Sequence, residues 1–379
     1  MKLFGISKSL IIGMSVMVSM ALTMDTAGAE GTSSQAVSVI FDGIKSPLSA
    51  GYPYAENGIT MIPFRIISGK LGTQSSWNAA AKVLTLKQKE NSIILTVGSS
   101  YAKVNGVPTA LGAKVVQKDG MTMIPLTVVS ELLGAEVEVD ELIQSVHIHT
   151  PGKELGKLDD FGRKIRTTNL PKNYKDYPYI LEDIPNEMYE MKKTINYVAK
   201  EADTGAKLYA TKEVTSEGIA KVINRMNIGY NLRLNVDYKT INPASYAREV
   251  FKYENQSVSI REDDIRKYAE WVKKNRIQIE GSLDPEPSVM YYPGTGDYRV
   301  RSKFRFRINS FTEYKDLMLD EYFSTTHYMN NERLKKGVWY EGYADISVST
   351  NYYNGDPFEH IALDAFSSLF ENSIKYEAK

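Results

Sequence analysis

No cysteine occurs anywhere in the 379 residues. Disulfide staples, thiolate metal sites, a cysteine nucleophile and a lipidated N-terminal cysteine are therefore excluded, and the chain must be held together by burial. Histidine is scarce as well: His147, His149, His327 and His360 are the whole supply. An excess of either charge is missing, with 46 Lys and Arg against 46 Asp and Glu. A general nucleic-acid binder needs surplus basic charge to meet phosphates, so that class is not expected. Long apolar runs are confined to the start. Lys2 and Lys8 precede a mostly apolar stretch from Leu10 to Met24, and Ala27-Gly28-Ala29 supplies the small residues of a cleavage site. Residues 1–29 thus read as a secretory signal cut after Ala29. The apolar stretch falls short of the roughly 20 residues that cross a bilayer, so no stable membrane span is expected after cleavage. The mature chain is long enough for two domains.

What is present is a repeat. Asn57-Gly58-Ile59-Thr60-Met61-Ile62-Pro63-Phe64 returns as Asp119-Gly120-Met121-Thr122-Met123-Ile124-Pro125-Leu126, and Leu71-Gly72 returns as Leu133-Gly134, always 62 residues on. A fixed period marks an internal repeat, with Gly58, Pro63, Gly72, Gly120, Pro125 and Gly134 as its signature. Around it, 93–97, 101–104 and 107–110 read as strands, with Asn105-Gly106 as a tight turn. Met121 to Ile124 reads as a strand leading into a helix that starts at Pro125 and presents Leu126, Val129, Leu132 and Leu133 on one face. Runs 136–140 and 145–149 alternate polar and apolar, as half-buried strands do. The first copy follows suit with a helix through Ile66, Ile67 and Leu71, then 76–78 and 83–86. The expected core is Ile62, Ile67, Leu71, Ile124, Val129 and Leu133.

This pattern resembles the copper amine oxidase N-terminal (stalk) domain family over about residues 36–150. The resemblance implies an exported spacer or interaction module, separate from the copper site of those enzymes. An oxidase would also need three histidine ligands and a tyrosine in an Asn-Tyr-Asp/Glu setting. Asn173-Tyr174-Lys175 and Asn351-Tyr352-Tyr353 lack the acidic residue, and the chain is too short for the catalytic domain. His147 and His149 lie two apart on one strand face, a geometry that can hold a metal, but the plain reading is an exposed strand face. No cofactor or metal site is expected.

Thr150 to Gly156 is turn-rich, and 151–185 reads as a linker, irregular where Pro and Tyr gather from Leu170 on. Residues 186–379 read as a separate α+β domain, giving an α+β chain overall: antiparallel strands wrapped on short helices, twice, then the C-terminal domain. Helices are predicted at about 186–200, 216–226, 243–253, from a capping box at Ser259 through Val272, and at 357–372. Asn231 to Tyr238 alternates as a strand. Ser288–Tyr292 and Tyr298–Ile308 form a hairpin, and Gly337 to Thr350 a long strand.

Three features invite a functional reading. Arg299, Arg301, Lys303, Arg305 and Arg307 share one strand face, either as a cationic stripe for anionic polymer or as a sheet face paired with carboxylates such as Glu341 or Asp345. Tyrosine is abundant, 25 against 12 Phe, and the pair Tyr291-Tyr292 could stack on sugars or simply fill a half-buried sheet. Glu280, Asp284 and Glu286 could serve acid–base hydrolysis, or be solvated in a Pro/Gly loop. The expectation is a secreted, non-enzymatic cell-envelope protein whose stalk-type module presents a C-terminal binding domain to cell-wall polymer, extracellular glycan or another exported protein. The alternative is an envelope-directed glycan or peptide hydrolase using carboxylates of the C-terminal domain.

Overall fold

The computed structural model describes residues 38–47, 53–56, 59–118, 120–194, 203–255, 260–294, 296–324, 333–350, 358–364 and 368–378. The signal segment, Asn57, Gly58, Asp119, Ser259, His327 and Asn351-Tyr352-Tyr353 lie outside these. Strands, most of them antiparallel, outnumber helices, and the fold is α+β.

The front half is built from short strands. β1 (Ser38–Phe41) and β2 (Ile44–Lys45) turn through Asp42 and Gly43, both at positive φ. β3 (Tyr54–Glu56) and β4 (Ile59–Pro63) lead into a single helical turn, Phe64–Ile66. A five-stranded meander follows: β5 (Thr73–Asn78), β6 (Val83–Gln88), β7 (Asn91–Thr96), β8 (Tyr101–Val104) and β9 (Val107–Ala110). Then come β10 (Val116–Lys118), β11 (Met121–Pro125), a helical turn at Val128–Leu132, β12 (Glu136–Asp140) and β13 (Ser145–His149). Pro125 does not open a helix. It closes β11 opposite Met61 of β4, and the helical turn begins beyond it.

β4 and β11 carry the repeated Thr-Met-Ile-Pro and pair antiparallel with each other, Ile62 facing Ile124, Pro63 facing Met123 and Met61 facing Pro125. Of the expected core, Ile62, Ile67, Ile124, Val129 and Leu133 are buried with Leu84, Leu86, Ile93 and Leu95, while Leu71 packs at the margin. β1 runs parallel to β13, so the first and last strands of this half lie side by side. Gly72 and Gly134 both sit at φ +67, a left-handed conformation that glycine adopts without the Cβ clash of other residues. Just before them, the carbonyls of Leu71 and Leu133 accept hydrogen bonds at 3.0 and 2.9 Å from one amide, Nε2 of Gln88.

In the back half, α1 (Asn186–Glu190) and α2 (Gly205–Tyr209) precede the long α3 (Ser216–Leu234), which Thr215 caps by accepting from the Gly218 N–H at 3.0 Å. The strand expected over 231–238 is absent except for β14 (Val236–Asp237). Leu234 continues the helical series Ile219, Ile223, Met226 and Tyr230, and that longer period wins over a three-residue alternation. α4 (Pro243–Phe251) and α5 (Glu262–Lys274) follow, the latter burying Ile265, Tyr268, Ala269 and Val272. β15 (Gln278–Tyr291), β16 (Asp297–Ser310), a short α6 (Leu319–Phe323) and β17 (Trp339–Thr350) complete the main sheet. Among the described residues of the terminal helix expected at 357–372, none is helical. β18 (Ile361–Leu363) and β19 (Ser373–Glu377) both add to β17, and Phe358, Leu363 and Leu369 reach the core from there.

The sheet order is β14-β15-β16-β17-β18, with β19 also on β17. Helices α3 to α5 cover one face over a large apolar core. The other face is half covered by irregular chain from about 158 to 194, packed through Tyr177, Ile180, Leu181, Ile184, Met188 and Tyr189 on Val289. Much of the stretch 151–185, read above as a linker, is thus part of the packed structure. α1 ends after one turn, and not at 200, because the carbonyls of Met188 and Met191 are taken by Arg301 at 2.8 and 2.9 Å.

Replacing Gln88 by Ala leaves two turn-end carbonyls without their donor. The expected loss is about 1–3 kcal/mol of stability, read from urea unfolding of the full chain. A change within experimental error would mean that water satisfies both carbonyls.

Candidate functional site

The half-covered sheet face is polar because strand alternation places every second residue of β15, β16 and β17 there. Arg299, Arg301, Lys303, Arg305 and Arg307 do share that face, and each meets a carboxylate. Arg299 lies 3.6 Å from Glu371 and Arg305 3.8 Å from Glu341. Arg301, fully buried, donates to Asp345 at 2.7 and 2.9 Å. Lys303 lies 3.3 Å from Glu286, and Arg307 2.5 Å from Glu280. The stripe is therefore neutralised by the protein's own carboxylates, and its centre at Arg301 is sealed under the 158–194 cover. Tyr291 is buried, its hydroxyl donating to Asp345 at 2.8 Å, so it offers no platform to a sugar. Tyr292 packs against Tyr298, ring centroids 5.6 Å apart, and its hydroxyl accepts from the Gly296 N–H at 2.9 Å.

The acidic run moves furthest from its expected place. Residues 280–287 are not a solvated loop but the middle of β15. Pro285 and Pro287 are tolerated because the ladder to β16 shifts register between Pro285 and Met290, where no N–H is required. Glu280 accepts from Arg307 and from Asn309 at the open end. Asp284 and Glu286 are buried and belong to a compact charge cluster. Lys45 of β2 pairs with Asp284, and its backbone N–H donates to Asp183 at 2.6 Å. Arg163 pairs with Glu286 and, at 2.6 Å, with Asp183.

Lys45, Arg163 and Lys303 thus stand among Asp183, Asp284 and Glu286, and their combined field divides the two neighbouring acids. Burial pushes the Asp284 carboxyl up, only partly opposed by Lys45. Burial acts on Glu286 too, but Arg163, Lys45 and Lys303 outweigh it and hold that carboxyl at about 2.

Where the cover stops, a cleft of about 300 Å³ opens against the sheet. Lys45, Pro47, Asp183, Asp284, Lys303, Tyr343 and Tyr376 are among the residues that line it. The floor continues outward as Glu341, Arg305, Trp339 and Arg307, with the Arg305 guanidinium 3.9 Å from the centre of the Trp339 ring and Arg307 at 4.7 Å. Tyr376 donates its hydroxyl to Glu187. Sequence reasoning missed Lys45, Arg163, Asp183, Trp339 and Tyr343. The last two were within reach, since alternation along 337–350 places Trp339, Glu341, Tyr343 and Asp345 on one face.

Residues 41–148 match the family model of the copper amine oxidase N-terminal domain. The match covers under a third of the chain. A comparison with curated proteins finds no match, and neither does one with solved structures.

Within this matched segment, His147 is not on an exposed face. It is 7% exposed, hydrogen-bonds to Ser145 Oγ at 2.9 Å, and packs against Gly162 so tightly that a Cβ there would come within 2.7 Å of the ring. His149 lies alongside, ring centroids 6.2 Å apart. Among the described residues no group of three or more His, Asp or Glu is placed to hold a metal ion.

Burial lowers the His147 pKa below its ordinary 6.5; Asp140 opposes this, His149 adds to it, and Glu138 opposes it. Below about 6.5 the unfolded chain takes up a proton that folded His147 still refuses. Stability therefore declines as pH falls through that window and levels off below the folded pKa. The His147→Gln variant should flatten this slope between pH 7 and 5 in urea titrations, and an unchanged slope would assign it elsewhere. In the charge cluster, Arg163→Ala leaves Glu286 buried without its main counter-charge. A loss of about 3–5 kcal/mol is expected at pH 7, measured by the same unfolding experiment, and a loss below 1 kcal/mol would mean that water enters the cluster.

Proposed function

We propose that the chain is an exported, non-catalytic binding protein. In this reading a doubled amine-oxidase-N-terminal-like module (about 36–150) is joined to a C-terminal α+β domain that carries the ligand site. The site is the cleft and the open sheet floor beyond it, from Tyr343 and Tyr376 to Trp339. The ligand is a cell-envelope or extracellular glycan with little net charge. One observation carries the reading: the charged side chains of this floor meet counter-charges supplied by the protein itself, while aromatic rings line the same surface. Such a floor has little left over for a polyanion, and offers hydrogen bonds and flat apolar faces to a hydroxyl-rich ring.

The hydrolase alternative draws support from the buried Asp284 and Glu286 beside the cleft, with their acidities pushed apart. Against it, the two carboxylates sit two residues apart on the same strand and are each tied to a cation, so they do not flank a bond from opposite sides.

The test is sedimentation of the purified chain with insoluble bacterial cell wall and with neutral polysaccharide. Trp339→Ala combined with Tyr343→Ala is expected to cost about 1–3 kcal/mol of binding, from about 0.5–1.5 for each ring. Binding of the unaltered chain should change little between low and high salt. Collapse of binding in high salt would point to a polyanion instead. Release of soluble fragments that stops in Asp284→Asn would replace the binding reading with hydrolysis.

A further inference from the structure

The pairing of Lys45 with Asp284 joins two segments 239 residues apart, one from each half of the chain. Both side chains are largely buried, 10% and 8% exposed. Neither partner is free to wander: the Lys45 backbone is held by Asp183 at 2.6 Å, and Asp284 is fixed opposite Lys303 in the β15–β16 ladder. Two residues on, Glu286 is fully buried, and its Oε1 accepts no hydrogen bond, the Lys303 ammonium standing 3.3 Å away.

We propose that Lys45 and Asp284 condense to an intramolecular amide, an isopeptide bond that locks the front half onto β15. Nζ of Lys45 attacks Cγ of Asp284; one C–N bond forms and one Cγ–O bond breaks. Two of the three ammonium protons leave with the departing oxygen as water. No electron changes hands and no co-reactant is needed. The Asp284 carboxylate takes one proton directly from the ammonium it contacts, which frees the nucleophile, and the second passes from nitrogen to the departing oxygen.

Burial that favours the neutral acid form of Asp284 assists the attack. Holding both groups in contact removes the entropic cost that makes the same condensation negligible in solution. The product is favoured because a buried ion pair is costly to desolvate, and a neutral amide removes both charges at once. Arg163 and Lys303 against Asp183 and Glu286 then remain balanced. The adjoining cleft gives the released water a way out.

This proposal is independent of what the cleft binds. It is tested on the purified full-length chain by denaturing mass spectrometry and proteolytic peptide mapping. The unaltered chain should be lighter by one water than its sequence requires, and the peptides containing Lys45 and Asp284 should be recovered joined. Lys45→Arg, which keeps the charge but cannot form this bond, should show full mass and separate peptides. Full mass with a free Lys45 peptide in the unaltered chain overturns the proposal, whatever the variants do.

Discussion

A strand that carries five cations on one face can be buried only if every charge finds a partner before water leaves. That requirement organises the back half of the protein. β15 and β17 supply carboxylates at the matching positions, so Glu280, Asp345 and Glu341 meet Arg307, Arg301 and Arg305 across the ladder. The irregular chain from 158 to 194 can then lie over the inner part of the face because it brings what the cations still lack. Backbone carbonyls of Met188 and Met191 go to Arg301, and the Asp183 carbonyl accepts from Lys303 at 3.4 Å. Without these acceptors the Nη1 hydrogens of Arg301 would be buried unsatisfied, even though Asp345 balances the charge. The cover and the charges are therefore one structure, and the cleft is the place where the cover runs out.

Local signals were legible in the sequence wherever one period dominated. The front-half strands, α5 and the β15–β16 hairpin follow from periodicity and turn residues, and the family resemblance over the front segment rests on the twice-repeated motif. Reading failed where a tertiary partner decided. Asn231 to Leu234 satisfies both periods, and packing along α3 chose the helix. The last segment offers apolar residues at helical spacing, yet the free edge of β17 takes it as strands. Pro285 and Pro287 argue against a strand until the register shift beside them is known.

The site was less visible than the fold, for a reason rooted in sequence separation. Lys45, Arg163, Asp183 and Asp284 come from four distant stretches, and no local pattern links them. The basic stripe was visible, but a stripe on paper does not reveal its counter-charges. Glu341 and Asp345 could be named as partners because strands β16 and β17 are both long and regular. Glu286 could not, because its partner Arg163 lies in a segment with no periodicity at all.

The front half meets the back half through this same cluster, and that bears on what a stalk can be. A loose spacer would touch its neighbour through few, exposed and mostly polar contacts. Here β2 delivers Lys45 into a buried carboxylate, and His147 of β13 closes on Gly162 at a distance that admits no side chain. A largely buried ion pair is tolerant of neither rotation nor withdrawal, because moving Lys45 leaves Asp284 without its direct counter-charge. Contact of this kind favours one fixed orientation over a hinge. The cleft inherits that rigidity, since Lys45 and Pro47 form one of its walls while Lys303 and Tyr343 form its floor. The cleft thus needs both halves of the chain, which is why neither half read alone reveals it.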